Sequence, residues 1–347
     1  MWRSPYVLLL AVILASSSWL ASCAQSVEAE GEGDGGTTDT DADTDTDADA
    51  DADSDTDTGT DTDADGDGDT DADTDADGDA DGDADGDADT DADDCSEETQ
   101  LVYAVDQNNM FYSFDPTAPA DSAFQQIGSG PLSCPSGGQP FSMAVGRDGY
   151  AYILFVQGAL AYNCVGVNRV DITNGNCEGL TPFSCGSSGF STFGMGYVSD
   201  YADATTETLF IGNSESPAQL GTLDVATGAV AVVGGLAAVG PEFTGNGLGE
   251  LWGFFPQAST PTVAQIDKTN GQMISAQTYP LSSLSSDANA WAFAHWGGAY
   301  YIFYKTFTDA STNVYKFEDG VMTTHIANTG KYIVGAGVST CAPTVIE

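Results

Sequence analysis

The sequence predicts an all-β domain of repeated four-strand units over residues 95–347, and three observations carry that prediction. Short alternating apolar runs recur between Gly, Asn, Asp and Ser turn signals, without a helical period. A strand ending in an acidic turn returns as MFYSFDPTA, VNRVDITNG, LGTLDVATG, VAQIDKTNG and VYKFEDG, centred near Asp115, Asp171, Asp224, Asp267 and Glu318. Successive copies lie 43 to 56 residues apart, the length of a four-strand unit.

Each complete unit divides into four strands. The first holds FSMAVGRDG, YAYILFV, GVNRVDITNG and NCEGLTPF, and the second FGMGYVSD, TLFIGNS, LGTLDVATG and AVAVVGG. The third holds FTGNGLG, ELWGFFP, TVAQIDKTNG and QMISAQTY, and the fourth WAFAHWGG, AYYIFYK, NVYKFEDG and VMTTHIAN. The leftovers complement each other: LVYAVDQ, MFYSFDP and FQQIG from the N-terminal end of the segment, KYIVGAGVS from the C-terminal end. This order resembles a five-bladed β-propeller closed by strands from both ends, in which radial repetition leaves only short edges. No WD40 or Kelch signature accompanies it, and a two-sheet β-sandwich is the alternative. Trp252, Trp291 and Trp296 read as packing between blades rather than as a binding platform.

Six cysteines fall in this segment: Cys95, Cys134, Cys164, Cys177, Cys185 and Cys341. In an exported chain an even number implies disulfides, here three. If Asn174 and Gly175 form a two-residue turn, Thr173 faces Asn176 and, counting outward, Cys164 faces Cys185. Cys134 is then left to Cys177. In the fifth blade the C-terminal strand runs antiparallel to LVYAVDQ, which brings Cys341 beside Cys95. Zinc is disfavoured, because no CxxC pair occurs and the histidines are only His295 and His325.

Residues 1–22 read as an export signal, with Arg3 as the single n-region charge and an apolar run too short and too serine-interrupted to span a bilayer. The run ends in Leu20, Ala21, Ser22, Cys23, which resembles the lipobox of bacterial lipoproteins. That resemblance implies cleavage before Cys23, acylation of it and a membrane anchor over 23–30, with Ala24 leaning toward the outer membrane or cell surface. Residues 31–94 alternate Asp with Ala, Thr and Gly, contain no large apolar residue, and are expected to form a disordered acidic tether. DTDADG at Asp61, Asp63, Asp65 and again at Asp73, Asp75, Asp77 copies the opening of an EF-hand loop. The position of its closing Glu is Ala72 and the central apolar residue is missing, so weak calcium binding without a folded cage is the expectation. No other cofactor is expected.

The chain carries 53 acidic and 7 basic residues. Within the domain the bases are Arg147, Arg169, Lys268, Lys305, Lys316 and Lys331, too few for a basic patch, which argues against a nucleic-acid partner. GxSxG, P-loop, HExxH and Rossmann fingerprints are absent. A glycosidase needs two carboxylates flanking a sugar bond. Asp148, Asp200 and Glu250 end three successive inner strands, with His295 at the corresponding place in the fourth, but turn chemistry explains them more simply. The longer loops, LSCPSGGQ, SCGSSG, NSESPA, PQASTP, LSSLSSD and TFTDAST, fall on the opposite face and are polar and mostly uncharged. Loops on a rigid scaffold are where binding usually resides, so that face is the candidate surface for a glycan or protein ligand. The leading reading is a surface-displayed binding or adhesion module. A glycosidase and a structural envelope protein are the alternatives.

Overall fold

The computed structural model describes residues 95–158 and 163–346. Cys23, the signal segment and the acidic tract with its candidate calcium ligands lie outside the described residues. Among those described, no helix is long and apolar enough to cross a membrane.

The chain opens with β1 (Val102–Asp106), β2 (Phe111–Phe114) and β3 (Phe124–Ile127). Four antiparallel meanders follow. The first is β4 (Gln139–Val145), β5 (Tyr150–Gln157), β6 (Asn163–Asp171) and β7 (Cys177–Leu180); the second is β8 (Phe193–Ser199), β9 (Glu207–Asn213), β10 (Gln219–Leu223) and β11 (Val230–Gly235). The third is β12 (Glu242–Gly245), β13 (Leu251–Phe255), β14 (Thr262–Ile266) and β15 (Met273–Pro280); the fourth is β16 (Ala288–Trp296), β17 (Ala299–Thr306), β18 (Asn313–Glu318) and β19 (Val321–Ile326). The last strand, β20 (Ile333–Val338), pairs antiparallel with β1 and completes a fifth sheet in the order β20-β1-β2-β3. Inner strands β4, β8, β12, β16 and β20 contact one another in sequence and close the ring. The domain is a five-bladed β-propeller closed from both ends, with the blade divisions that the repeats predict.

Five blades leave a narrow axis, and glycine on the inner strands is what lets them meet. A Cβ on Gly194 would sit 1.8 Å from the Pro241 carbonyl oxygen, and one on Gly196 would sit 2.7 Å from Phe243 backbone atoms. On the other side of the ring, a Cβ on Gly335 or Gly337 would press on the β4 backbone at Met143 or Ala144. Side chains between blades then fill the volume: Trp252 sits 4.7 Å from Tyr300 across the third and fourth blades, and Phe114 sits 5.2 Å from Phe303 across the fourth and fifth.

The repeated acidic turn has one cause. Asp115, Asp171, Asp224 and Asp267 each accept a hydrogen bond from the backbone N–H two residues on, at 2.8, 2.8, 2.9 and 2.9 Å, which holds the turn between a blade's third and fourth strands. In the fourth blade Glu318 pairs directly with Val321, across a two-residue turn in which Asp319 and Gly320 have positive φ.

Three disulfides join Cys95 to Cys341, Cys134 to Cys177 and Cys164 to Cys185, with Cα separations of 5.4, 5.1 and 5.7 Å. Such a set fits an oxidising compartment, extracellular or periplasmic. The last pairing is the expected one, but the register behind it differs. Asp171, not Thr173, closes the hairpin, by donating its N–H to Asn176 O, and a bulge follows between Arg169 and Val170. The Asx turn makes the loop longer than two residues, and β7 ends at Leu180, so Cys185 reaches Cys164 from beyond the strand. The Cys95–Cys341 bond lies at the end of β20 that pairs Val338 with Val102. The chain therefore enters the propeller about 20 Å, one strand length, from the ring face where β20 begins.

Candidate functional site

The faces of the ring differ in chemistry. On the one where the inner strands begin, a cavity of about 130 Å³ sits on the axis. Its wall comes from three blades: Gln139, Pro140, Phe141 and Val156 from β4 and β5; Asn289, Ala290 and Trp291 from β16; Gln107, Tyr332 and Val334 from the closing blade. Among the described residues, three aromatic rings and three primary amides thus line it, with no Asp, Glu, Lys or Arg. The loops LSCPSGGQ and LSSLSSD lead directly into this wall.

Tyr332 is held by a cation: Lys305 is 6% exposed, places its Nζ 4.9 Å from the Tyr332 ring centroid and donates to Thr306 O at 2.9 Å. Trp291 is half-buried, and a Cβ built on Gly240 would lie 3.6 Å from its Cζ2 and 3.4 Å from Gln257 Oε1. The three tryptophans therefore divide. Trp252 stacks on Tyr279 and Tyr300 and donates to Glu250, and Trp296 donates to Gln100 O, so both pack the ring. Trp291 also packs, against the cluster of Trp252, Phe254 and Phe293 between the third and fourth blades as expected, and it lines the cavity as well.

Just beneath the cavity the axis closes. Ser142 Oγ donates to Glu242 Oε2 at 2.8 Å, a bond between β4 and β12, which are not neighbours in the ring. Glu242 is 2% exposed, and burial pushes its carboxyl well above the ordinary value despite that bond and a hydrogen bond from the Met195 N–H. A carboxyl whose folded pKa is raised costs nothing when both states are protonated. Stability is lost as pH rises above the unfolded value and toward the folded one. Glu242→Gln keeps the acceptor and does not titrate. It should match the parent at pH 4 in thermal denaturation and be more stable than the parent at pH 8. A variant less stable at pH 8 would mean that Glu242 is ionised.

The opposite face carries the carboxylates singled out from sequence, and they do not converge. Asp200 accepts from Thr208 at 2.7 Å and is held below the usual range, chiefly by Thr206 and Thr208. Glu250 accepts from Asn246 at 3.0 Å and from the Trp252 Nε1 at 3.2 Å. His295 lies within β16 rather than in a turn; it is 3% exposed, and burial lowers its pKa to about 4. Asp148 accepts from the Tyr152 hydroxyl at 2.6 Å and from the Tyr150 N–H at 3.2 Å.

Asp148 has a carboxylate neighbour that the sequence did not reveal. A Cβ on Gly146 would meet Asp148 Oδ1 at 2.6 Å and Glu207 Oε1 at 3.2 Å, which brings the two groups to one point. They line a cleft of about 550 Å³ with Tyr152, Tyr197 and Arg147. Burial raises the Glu207 carboxyl, yet both its oxygens are taken, one by the Arg147 N–H and the other by the Thr340 hydroxyl, each at 2.8 Å. Arg147 Nε in turn donates to Thr340 Oγ1 at 2.6 Å. Glu207 thereby fastens three blades beside the closing disulfide. Two strand glutamates in TTETLF and PEF carry no motif, so only ring closure reveals them.

No family model and no curated protein matches the chain. Solved structures similar to it include a Bacteroides thetaiotaomicron protein of unknown function, 16% identical, with a TM-score of 0.38 over 64% of this chain and 56% of that one. This chain thus spans little more than half of that protein's length. A Bacteroides caccae protein of unknown function is 10% identical, with a TM-score of 0.39 over 68% of this chain and 84% of that one. A gluconolactonase from Xanthomonas campestris is 13% identical, with a TM-score of 0.35 over 58% of this chain and 67% of that one. Likenesses this distant carry no functional argument, which rests on the pocket geometry.

Proposed function

We propose that this protein is an exported, lipid-anchored surface protein whose propeller binds a neutral glycan in the axial cavity. The observation that carries the reading is the lining, which combines the aromatic residues Phe141, Trp291 and Tyr332 with the amides Gln107, Gln139 and Asn289. Sugar rings present apolar faces to aromatics and hydroxyls to amides, and a wall without acid or base suits an uncharged ligand. The anchor is read from the LASC site at Cys23, the tether from the acidic tract over 31–94. Calcium there would screen alternating carboxylates and contract the tether without folding it.

A glycan array read with the detergent-solubilised full chain, beside a hydrolysis screen, tests the reading. Binding without turnover is the expected result; no binding to any glycan overturns it. The glycosidase reading is second and is favoured by the meeting of Asp148 and Glu207 in one cleft. Turnover lost on Asp148→Asn would establish it. Anchoring is tested separately. Cys23→Ala should abolish palmitate labelling, and a mutant still labelled would show that the anchor is elsewhere.

A further inference from the structure

We infer that the ligand runs out of the axial cavity over the fourth blade and is held a second time by Phe307, so that this face favours an oligosaccharide over a single sugar. This rests on the glycan reading above and adds the length of chain that is recognised.

Three observations lead to it. The first is the mouth. The cavity is half-open, so a ligand seated in it continues outward over the ring face.

The second is continuity between the wall and the turn that follows β17. Asn289, Ala290 and Trp291 of the wall lie on β16, and β17 beside it ends at Thr306, which pairs with Ala288. Phe307 therefore emerges on the cavity face, roughly 5 Å, one strand spacing, outward from the strand that carries the wall. A single further sugar ring covers that step. Lys305 joins the two places: it pairs with the wall residue Ala290, places its Nζ 4.9 Å from the Tyr332 ring centroid and donates to Thr306 O at 2.9 Å.

The third is Phe307 itself. It is 67% exposed, and among the described residues the other exposed aromatic is Tyr201, which follows β8 on the opposite face. The turn that carries Phe307 is fixed by hydrogen bonds. Thr306 donates from its N–H and its hydroxyl to Asp309 Oδ2 at 2.8 and 2.7 Å, and the Asp309 N–H donates back to Thr306 Oγ1 at 3.2 Å. A ring held in solvent on such a support is preorganised to take the apolar face of a sugar, and the turn has little left to order on contact.

Calorimetric titration of the full chain with neutral gluco-, manno-, galacto- and xylo-oligosaccharides of one to six units tests this, with Phe307→Ala and Phe307→Tyr beside the parent. In the series that binds, affinity should rise about 10-fold from the shortest member that binds to members two units longer, and level off beyond them. Phe307→Ala should flatten that rise and Phe307→Tyr should keep it, while both variants melt with the parent. An affinity independent of chain length, or a rise that persists in Phe307→Ala, would overturn the second contact while leaving the glycan reading intact. Failure of every sugar to bind would overturn the glycan reading first, and the inference with it.

Discussion

Replacing Cys95 and Cys341 together with serine should lower the melting temperature by on the order of 10 °C. The bond joins residues 246 apart in sequence. Cross-linking a loop of that length removes unfolded-state entropy worth up to about 5 kcal/mol, and a domain of this size shifts by roughly 2–4 °C per kcal/mol. The location makes the effect matter. The closing blade is the one sheet assembled from both ends of the domain; besides the bond it is held by the β1–β20 ladder, by packing against the first and fourth blades, and by polar contacts. Among these are Ser339 Oγ donating to Thr99 O at 2.7 Å and Trp296 Nε1 donating to Gln100 O at 2.9 Å. The Cys164–Cys185 bond closes a loop of 21 residues. Its removal should cost about 2 kcal/mol less by loop length alone. Differential scanning calorimetry of both double mutants checks the order. An unchanged melting temperature for the first would mean that noncovalent closure suffices.

Trp291→Ala should reduce glycan affinity by about 30-fold or more, the loss of roughly 2 kcal/mol expected for an aromatic anchor in a pocket. The fold should survive, because Trp291 is half-buried at the cavity wall. Trp252→Ala supplies the contrast: that indole is 7% exposed among Tyr279 and Tyr300, and its truncation should cost about 3–5 kcal/mol of stability. Binding isotherms and melting curves for the two variants separate the roles. Retained affinity in Trp291→Ala would remove the ring from the site.

The architecture was legible in sequence because four of the five blades repeat one device, an Asp that closes the turn after the third strand. Asp171 and Asp267 do so with the same Thr and Asn partners, so the spacing of the repeat is the spacing of the blades. The closing blade was legible by elimination, since KYIVGAGVS lacked three partners and LVYAVDQ lacked an inner strand. Side-chain meetings across blades were not. Glu242 and Ser142 are 100 residues apart, and Glu207 and Arg147 are 60 apart. Nothing local marks either pair, because the ring radius brings them together. Trp291 was legible as packing, since alternation in WAFAHW puts it on one strand face with Phe293, which packs on Tyr300, but its share in the cavity wall was not. Trp291 lies near the strand start, where that face has already risen to the cavity wall. The Asx turn at Asp171 misled the hairpin count, since Asn-Gly after Asp serves a longer loop than Asn-Gly alone.

The account's central claim is that the uncharged axial cavity binds and the acidic cleft on the other face does not act on sugar. One experiment compares the full chain with its Trp291→Ala and Asp148→Asn variants on the same glycan array, with product analysis of every bound glycan. The account predicts binding by the parent and by Asp148→Asn, loss of binding in Trp291→Ala, and intact glycans throughout. Cleaved glycans that disappear with Asp148→Asn, or binding indifferent to Trp291, would contradict it.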